Sequence, residues 1–318
     1  MGAVTHDVLS ETLDDFGMSG VFYAASEMAA PWGIGIPPMP GTMIFHLVTR
    51  GAAVIEVAGQ LAELRPGDVM LVPHGAGHSV LDAAGSVATP LFDLPREELG
   101  ERYERIRLDG PGEVTELLCG AVRFSGLGVT RLVESLPPIL VAAPDDAAWM
   151  RASFGLIADE SRNPRPGSDV VTARLADVLV IQAIRAWLAS STPDRGWVAG
   201  LRDPQLGRAL AAFHGAPGDD WSLESLARVA GVSRSGFAAR FSELMGEPPM
   251  TYVTSWRMAL AARLVREERL PLARVADRVG YRSEAAFNRA FRRAHGVTPG
   301  VFARRDEAPW DVLSLSPS

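Results

Sequence analysis

The sequence predicts an α+β chain of two domains: a small antiparallel β-barrel or sandwich, then an all-α domain of two helix-turn-helix units joined by a linker helix. Three observations predict it. Short apolar or alternating runs separated by Gly, Pro and Asp fill the first half, as in small all-β folds. In the second half a helix-turn-helix pattern occurs twice: Leu223, Ala227 and Gly231 recur 49 residues later as Leu272, Ala276 and Gly280. Charge is segregated as well, since 220–306 holds 15 Arg against 9 acidic residues, a net of +6, and the remainder 16 Arg against 29, a net of −13.

The 318 residues suffice for two domains of ordinary size, and a 47% hydrophobic composition suffices for two cores. A single cysteine, Cys119, excludes an intrachain disulfide and suits a reducing cytoplasm. No basic segment leads into an apolar run at the start, and the most apolar stretch, Leu175 to Ala189, is broken by Asp177, Gln182 and Arg185. The expectation is therefore a soluble, cytoplasmic protein without a membrane partner. All 31 basic side chains are Arg, which reads first as compositional bias.

Asp7 to Phe16 has the spacing of a short amphipathic helix. Strands are predicted at Val21–Ala25, Met43–Thr49, Ala52–Val57, Val69–Val72 and His78–Leu81. The turn Arg65-Pro66-Gly67-Asp68 and the spacing of Gly67, Pro73, Gly75 and His78 resemble the second motif of the cupin family. Ile44-Phe45-His46-Leu47-Val48 resembles the first motif in part: His46 matches its first histidine, but Val48 stands where a second would be, and Ala52 and Ala53 where its glutamate would be. The resemblance implies a barrel with an effector pocket at His46 and His78, and the missing ligands count against cupin enzyme chemistry. Cys119, in the apolar run Leu117–Val122, can join the two histidines as a third ligand for zinc or another divalent metal. The alternative is a pair of hydrogen-bonded imidazoles beside a packed thiol.

Two helical stretches follow, Asp145–Glu160 and Asp169–Ser190. The second is apolar on two sides: one can pack on the barrel and the other on a partner subunit, the alternative being a helix buried within the chain. Pro193–Gly200 reads as a hinge, Asp203–His214 as a short helix, and Gly215-Ala216-Pro217-Gly218 as a linker. The boundaries are thus 1–192 for the cupin-like effector-binding and dimerisation domain, 193–218 for the linker with its short helix, 219–306 for the double helix-turn-helix and 307–318 for a tail.

In the second unit Gly280 ends the first helix, Ser283 caps the next, and Phe287 and Phe291 mark its buried face. Ser233, Phe237 and Phe241 stand 50 residues upstream in the same roles, and Pro249–Arg269 reads as the helix between the units. These residues, with Trp256–Leu264 and the run GYRSEAAFNRAFRRAHGVTPGVF, make Trp221–Arg305 resemble the DNA-binding domain of the AraC/XylS transcription regulators. The resemblance implies that Ser235, Ala238 and Ala239 face the groove in the first unit, with Arg234 nearby. In the second, Ala285, Asn288 and Arg289 face it, flanked by Ser283 and Glu284. Arg289 has the chemistry to read guanine and Asn288 adenine, while two alanines can read little beyond thymine methyls. Arg282, Arg292 and Arg293 are expected on phosphates. The implied function is an effector-controlled, dimeric, sequence-specific regulator of promoter DNA that contacts RNA polymerase if it activates, as the family's habit suggests. The competing expectations are a cupin-type metalloenzyme fused to a DNA-binding domain, and a regulator that senses metal or oxidant through His46, His78 and Cys119.

Overall fold

The computed structural model describes residues 17–99, 102–125, 127–142, 165–191, 193–266 and 270–304, with scattered positions from 152 to 163. The helix expected at Asp7–Phe16 and the tail lie outside the described residues, as does most of Asp145–Glu160. Contacts divide the chain into two compact units, one of Gly17–Ser125 with Leu136–Ser191, the other taking in Gly126–Ser135 and the chain from Thr192.

The first unit is a pair of sheets. The larger orders its strands β12 (Leu140–Ala142), β6 (Val69–Val72), β3 (Met43–Arg50), β11 (Val114–Ser125), β1 (Gly17–Ala29), β10 (Tyr103–Leu108) and β9 (Arg96–Glu98). The smaller runs β5 (Gln60–Leu64), β4 (Ala53–Val57), β7 (His78–Leu81), β2 (Gly33–Ile36) and β8 (Thr89–Pro90). All five predicted strands are present. β6 is buried at every position, as its unbroken Val-Met-Leu-Val implies for a strand covered on both faces. β1 outruns its apolar core of Val21–Ala25 because both its edges are paired, to β11 antiparallel and to β10 parallel. β5 escaped the sequence pattern because its side chains are mostly exposed, the apolar Leu61 among them, and its pairing with β4 fixes it instead.

Helix α2 (Ser168–Ser190) packs its Ala176, Leu179, Val180, Ala183 and Ile184 inward. Tyr23 on β1 donates its hydroxyl proton to Asp177 Oδ1 at 2.8 Å, and Arg174 reaches Asp177 Oδ2 at 3.1 Å, so the buried carboxylate is fully used. Burial raises the Asp177 pKa against the pull of those two hydrogen bonds. The opposite side leaves Val170, Val171 and Val178 exposed.

The second unit is helical. After α1 (Leu127–Glu134) come α3 (Trp197–Arg202), α4 (Pro204–Gly215), α5 (Leu223–Ala230), α6 (Arg234–Met245), α7 (Pro249–Arg266), α8 (Leu272–Arg278), α9 (Glu284–His295) and α10 (Pro299–Arg304). Sequence boundaries placed 126–135 within the first domain, whereas its contacts lie in the helical unit. Arg131 is one tie to that unit: it pairs with Glu247 at 3.1 Å, donates to Ser255 Oγ at 2.9 Å and lies 5.4 Å above the Tyr252 ring. Among the described residues, no helix is long and apolar enough to cross a membrane.

Candidate nucleic-acid interface and sensor chamber

Both helix-turn-helix units are built by the same local rules. The helix before each turn ends at a glycine with φ near +75°, Gly231 and Gly280, a conformation in which a Cβ would be strained. Ser233 and Ser283 then cap α6 and α9 by accepting from the Gly236 and Ala286 amides, each at 3.2 Å. The two phenylalanines of each helix are buried, with ring centroids 5.6 Å apart for Phe237 and Phe241 and 5.7 Å for Phe287 and Phe291. The second pair sits in a core with Met258, Ala261, Leu264, Val275 and Val279, so α7 supports it directly.

With the phenylalanines turned inward, helical geometry turns the remaining residues out. On α6, Arg234, Ser235 and Ala239 are exposed and Ala238 half-buried. On and before α9, Arg282, Ser283, Glu284, Ala285, Arg289, Arg292 and Arg293 are exposed. Arg289 has no ion-pair partner among the described residues, whereas Arg282 pairs with the equally exposed Asp220 at 3.1 Å. Asn288 differs from the expectation of an open, groove-facing amide: it is half-buried, and its Oδ1 is buried without a hydrogen-bond partner.

The sequence reading assigns no role to Arg240 or His214, and it places Asp203 and Tyr252 in helices without their polar partners. Arg240, also on α6, is tied to Asp203, which accepts its Nε at 2.8 Å and its Nη2 while capping α4 through the Gln205 and Leu206 amides. Asp203 is partly desolvated, but Arg240 and the two amides more than offset this and lower its pKa. On α7, Tyr252 takes a hydrogen bond from Trp197 Nε1 at 2.9 Å and meets His214 Nε2 at 2.8 Å. His214 stacks on Trp256 with centroids 3.9 Å apart, and burial lowers its pKa to about 3. An Asp-Pro pair marking the start of α4 was the available signal for Asp203.

In the first unit, His46 and Cys119 are cross-strand partners on β3 and β11, and His78 reaches across from the other sheet. The three expected residues do meet. His46 Nε2 lies 2.7 Å from His78 Nε2, His46 Nδ1 lies 3.0 Å from Cys119 Sγ, and His78 Nδ1 lies 2.8 Å from the Ala76 carbonyl. A carbonyl can only accept, so His78 Nδ1–H donates to it and Nε2 of the neutral ring accepts. His46 must then donate from Nε2 and accept the Cys119 thiol proton at Nδ1. This neutral proton order agrees with desolvation, which lowers both imidazole pKa values, that of His46 strongly, and pushes the thiol up to about 12.

His78 and Cys119 meet opposite nitrogens of the His46 imidazole, so in this arrangement the three side chains form a hydrogen-bonded chain and do not converge on one point. Among the described residues, no group of three or more His, Cys, Asp or Glu could hold a metal. The space beside His46 and Cys119 is walled by Phe22, Ile34, Met39, Ile44 and Ile106 and measures only ≈ 20 Å³, room for about one water. A wider, polar cleft of ≈ 620 Å³ lies on the outer side of β1 and β11, where Glu27 pairs with Arg107 at 3.0 Å and Glu160 with Arg165 at 2.7 Å.

Comparison with known proteins agrees with both halves. Residues 7–189 match the model of a cupin family, and residues 226–305 that of a helix-turn-helix domain. The chain is 30% identical to the RCS-specific HTH-type transcriptional activator RclR of Escherichia coli K12, over 82% of this chain and 84% of that protein. It is 34% identical to a putative AraC-like transcription regulator of Streptomyces antibioticus, over 83% of this chain and 88% of that protein. Among solved structures, the DNA-binding domain of AdpA in complex with a target DNA is 31% identical, with a TM-score of 0.30, over 32% of this chain and 90% of that one.

Proposed function

The chain belongs to the AraC-like transcription regulators that carry a cupin domain, and from that premise we propose how its surfaces divide the work. The observation that carries the reading is the pair of capped, phenylalanine-anchored helices with open outer faces, the second of them rich in arginine. Arg289 reads guanine through its O6 and N7, and Asn288 turns outward to adenine. The turn is favoured because leaving Oδ1 buried and unpaired costs about 1–3 kcal/mol. Arg282, Arg292 and Arg293 hold phosphates and set register, with Glu284 and Ala285 at the groove edge. Arg234, with Ser235, Ala238 and Ala239, supplies the weaker reading of the first head.

A second copy of the chain covers the exposed Val171 and Val178 face of α2, giving a homodimer. A small, largely apolar effector enters the chamber beside His46 and His78. Because the chamber at this width has room for about one water, anything larger must part its walls, and β11, which carries Leu117 and Cys119, leads two residues on into α1, the helix of Arg131. The protein acts in the cytoplasm as an activator that touches RNA polymerase, without catalysing a reaction. Oxidant sensing at Cys119 is disfavoured by a thiol held protonated, since the thiolate is the reactive form.

Genome-wide binding-site mapping with and without candidate effectors tests the reading. Discrete promoter sites sharing one two-part motif, with occupancy that responds to an effector, are expected; diffuse binding without a common motif would sink it. Stoichiometric metal in purified protein, together with turnover, would return the enzymatic alternative.

A further inference from the structure

We propose that Arg257, on the linker helix, is the positioning residue that fixes the spacing at which the two heads meet DNA. The inference rests on the DNA-binding reading above. Arg257 donates from Nε to the Pro217 carbonyl at 2.7 Å and from Nη2 to the Asp219 carbonyl at 2.6 Å. Those carbonyls belong to the loop that leads into the first head. The same guanidinium lies under the turn of the second: a Cβ at Gly280 would come 2.8 Å from Arg257 Nη2 and 2.6 Å from the Gly218 carbonyl. A Cβ at Gly218 would in turn fall 2.7 Å from the Arg278 carbonyl. Two glycines let the backbones touch, and one arginine from the rod between the heads bridges them.

The internal repeat supplies a control. Arg208 on α4 precedes Gly231 by the same interval as Arg257 precedes Gly280. Its Nη2 donates to the Ala230 carbonyl at 2.7 Å, which lies in the head it supports. Arg208 therefore braces one head from within, while its counterpart joins the two. The joint matters because B-DNA turns by roughly 34–36° for each added base pair, so a rigid pair of heads accepts only one spacing.

The test is selection of binding sites from random DNA by the full chain, followed by affinity measurements on the selected site with one base pair inserted between its halves. Wild type is expected to recover two half-motifs at one spacing and to lose roughly tenfold or more on insertion. Arg257→Met should recover the same half-motifs at several spacings and lose no more than about threefold on insertion, whereas Arg208→Met should bind more weakly with the spacing unchanged. Gly218→Ala, which forces the same joint apart from the other side, should match Arg257→Met and decides the matter if that variant does not fold. Unchanged spacing preference in folded Arg257→Met or Gly218→Ala overturns the proposal. Failure of wild type to select any motif would overturn the DNA-binding reading itself, a different result.

Discussion

Helices α6 and α9 bury the same phenylalanine pair at almost the same separation, yet the side chains around those rings have parted. Fifty positions on, Ser235 becomes Ala285, Ala238 becomes Asn288, Ala239 becomes Arg289, Ser242 becomes Arg292 and Glu243 becomes Arg293. Arg240, the one arginine of the first helix beyond its first residue, is held by Asp203, and its counterpart Ala290 has no such role. A helix-turn-helix survives duplication only if caps, glycines and core rings keep their geometry, whereas its outer face answers to DNA alone. The first head has kept the scaffold and uses one of the two arginines of α6 to fix itself, whereas the second leaves Arg282, Arg289, Arg292 and Arg293 exposed.

Variants can break or sharpen that contrast. The largest effect belongs to the shared core. Phe237→Ala and Phe287→Ala should each cost about 3–5 kcal/mol in chemical denaturation, and clearly unequal losses would show that the scaffolds are not equivalent. Next comes reading: Arg289→Ala should weaken specific binding by about 1–3 kcal/mol and relax one base position in a binding-site selection, while Ser235→Ala leaves selectivity almost intact.

Asp203→Ala removes a helix cap and should cost about 1 kcal/mol at neutral pH, measured by urea unfolding. Because the Asp203 pKa is lowered in the fold, the unfolded chain binds the extra proton, and this stabilisation is complete above about pH 4. It is lost as pH falls through the folded value, so the penalty of the variant should fade in acid; a penalty constant with pH would reject the ion pair as its source. The smallest change is expected for Arg292→Ala or Arg293→Ala, which should lower the salt slope of binding by about 1 and weaken all sequences alike. A sequence-dependent loss there would move either residue from phosphate to base.

Much of this was legible beforehand. Val69–Val72 and His78–Leu81 announced themselves by apolar runs between turn residues, and the heads by a repeat whose spacing their cores enforce. The meeting of His46, His78 and Cys119 was legible too, but their order along one line of hydrogen bonds was not, because it depends on which edge of an imidazole each neighbour approaches. Arg257 was hidden for a similar reason: its acceptors are main-chain carbonyls, which carry no sequence identity, although its offset from Arg208 stood in plain view. The short α1 gave no sign of its allegiance, since Arg131 finds Glu247, Ser255 and Tyr252 only after the chain has folded back over more than a hundred residues.

That excursion of the chain bears on how such a protein can be cut or recombined. The stretch 193–218 looks like the natural place to sever sensor from reader, and a fragment starting there would keep every recognition residue. It would also lose Arg131, leaving Glu247 without its cation and one face of Tyr252 bare to water. The reader is thus assembled from two separate lengths of polypeptide, one of them lent from the middle of the sensor. A chimera that exchanges the first unit between relatives should therefore carry 127–135 together with the helical unit, where Arg131 makes its contacts.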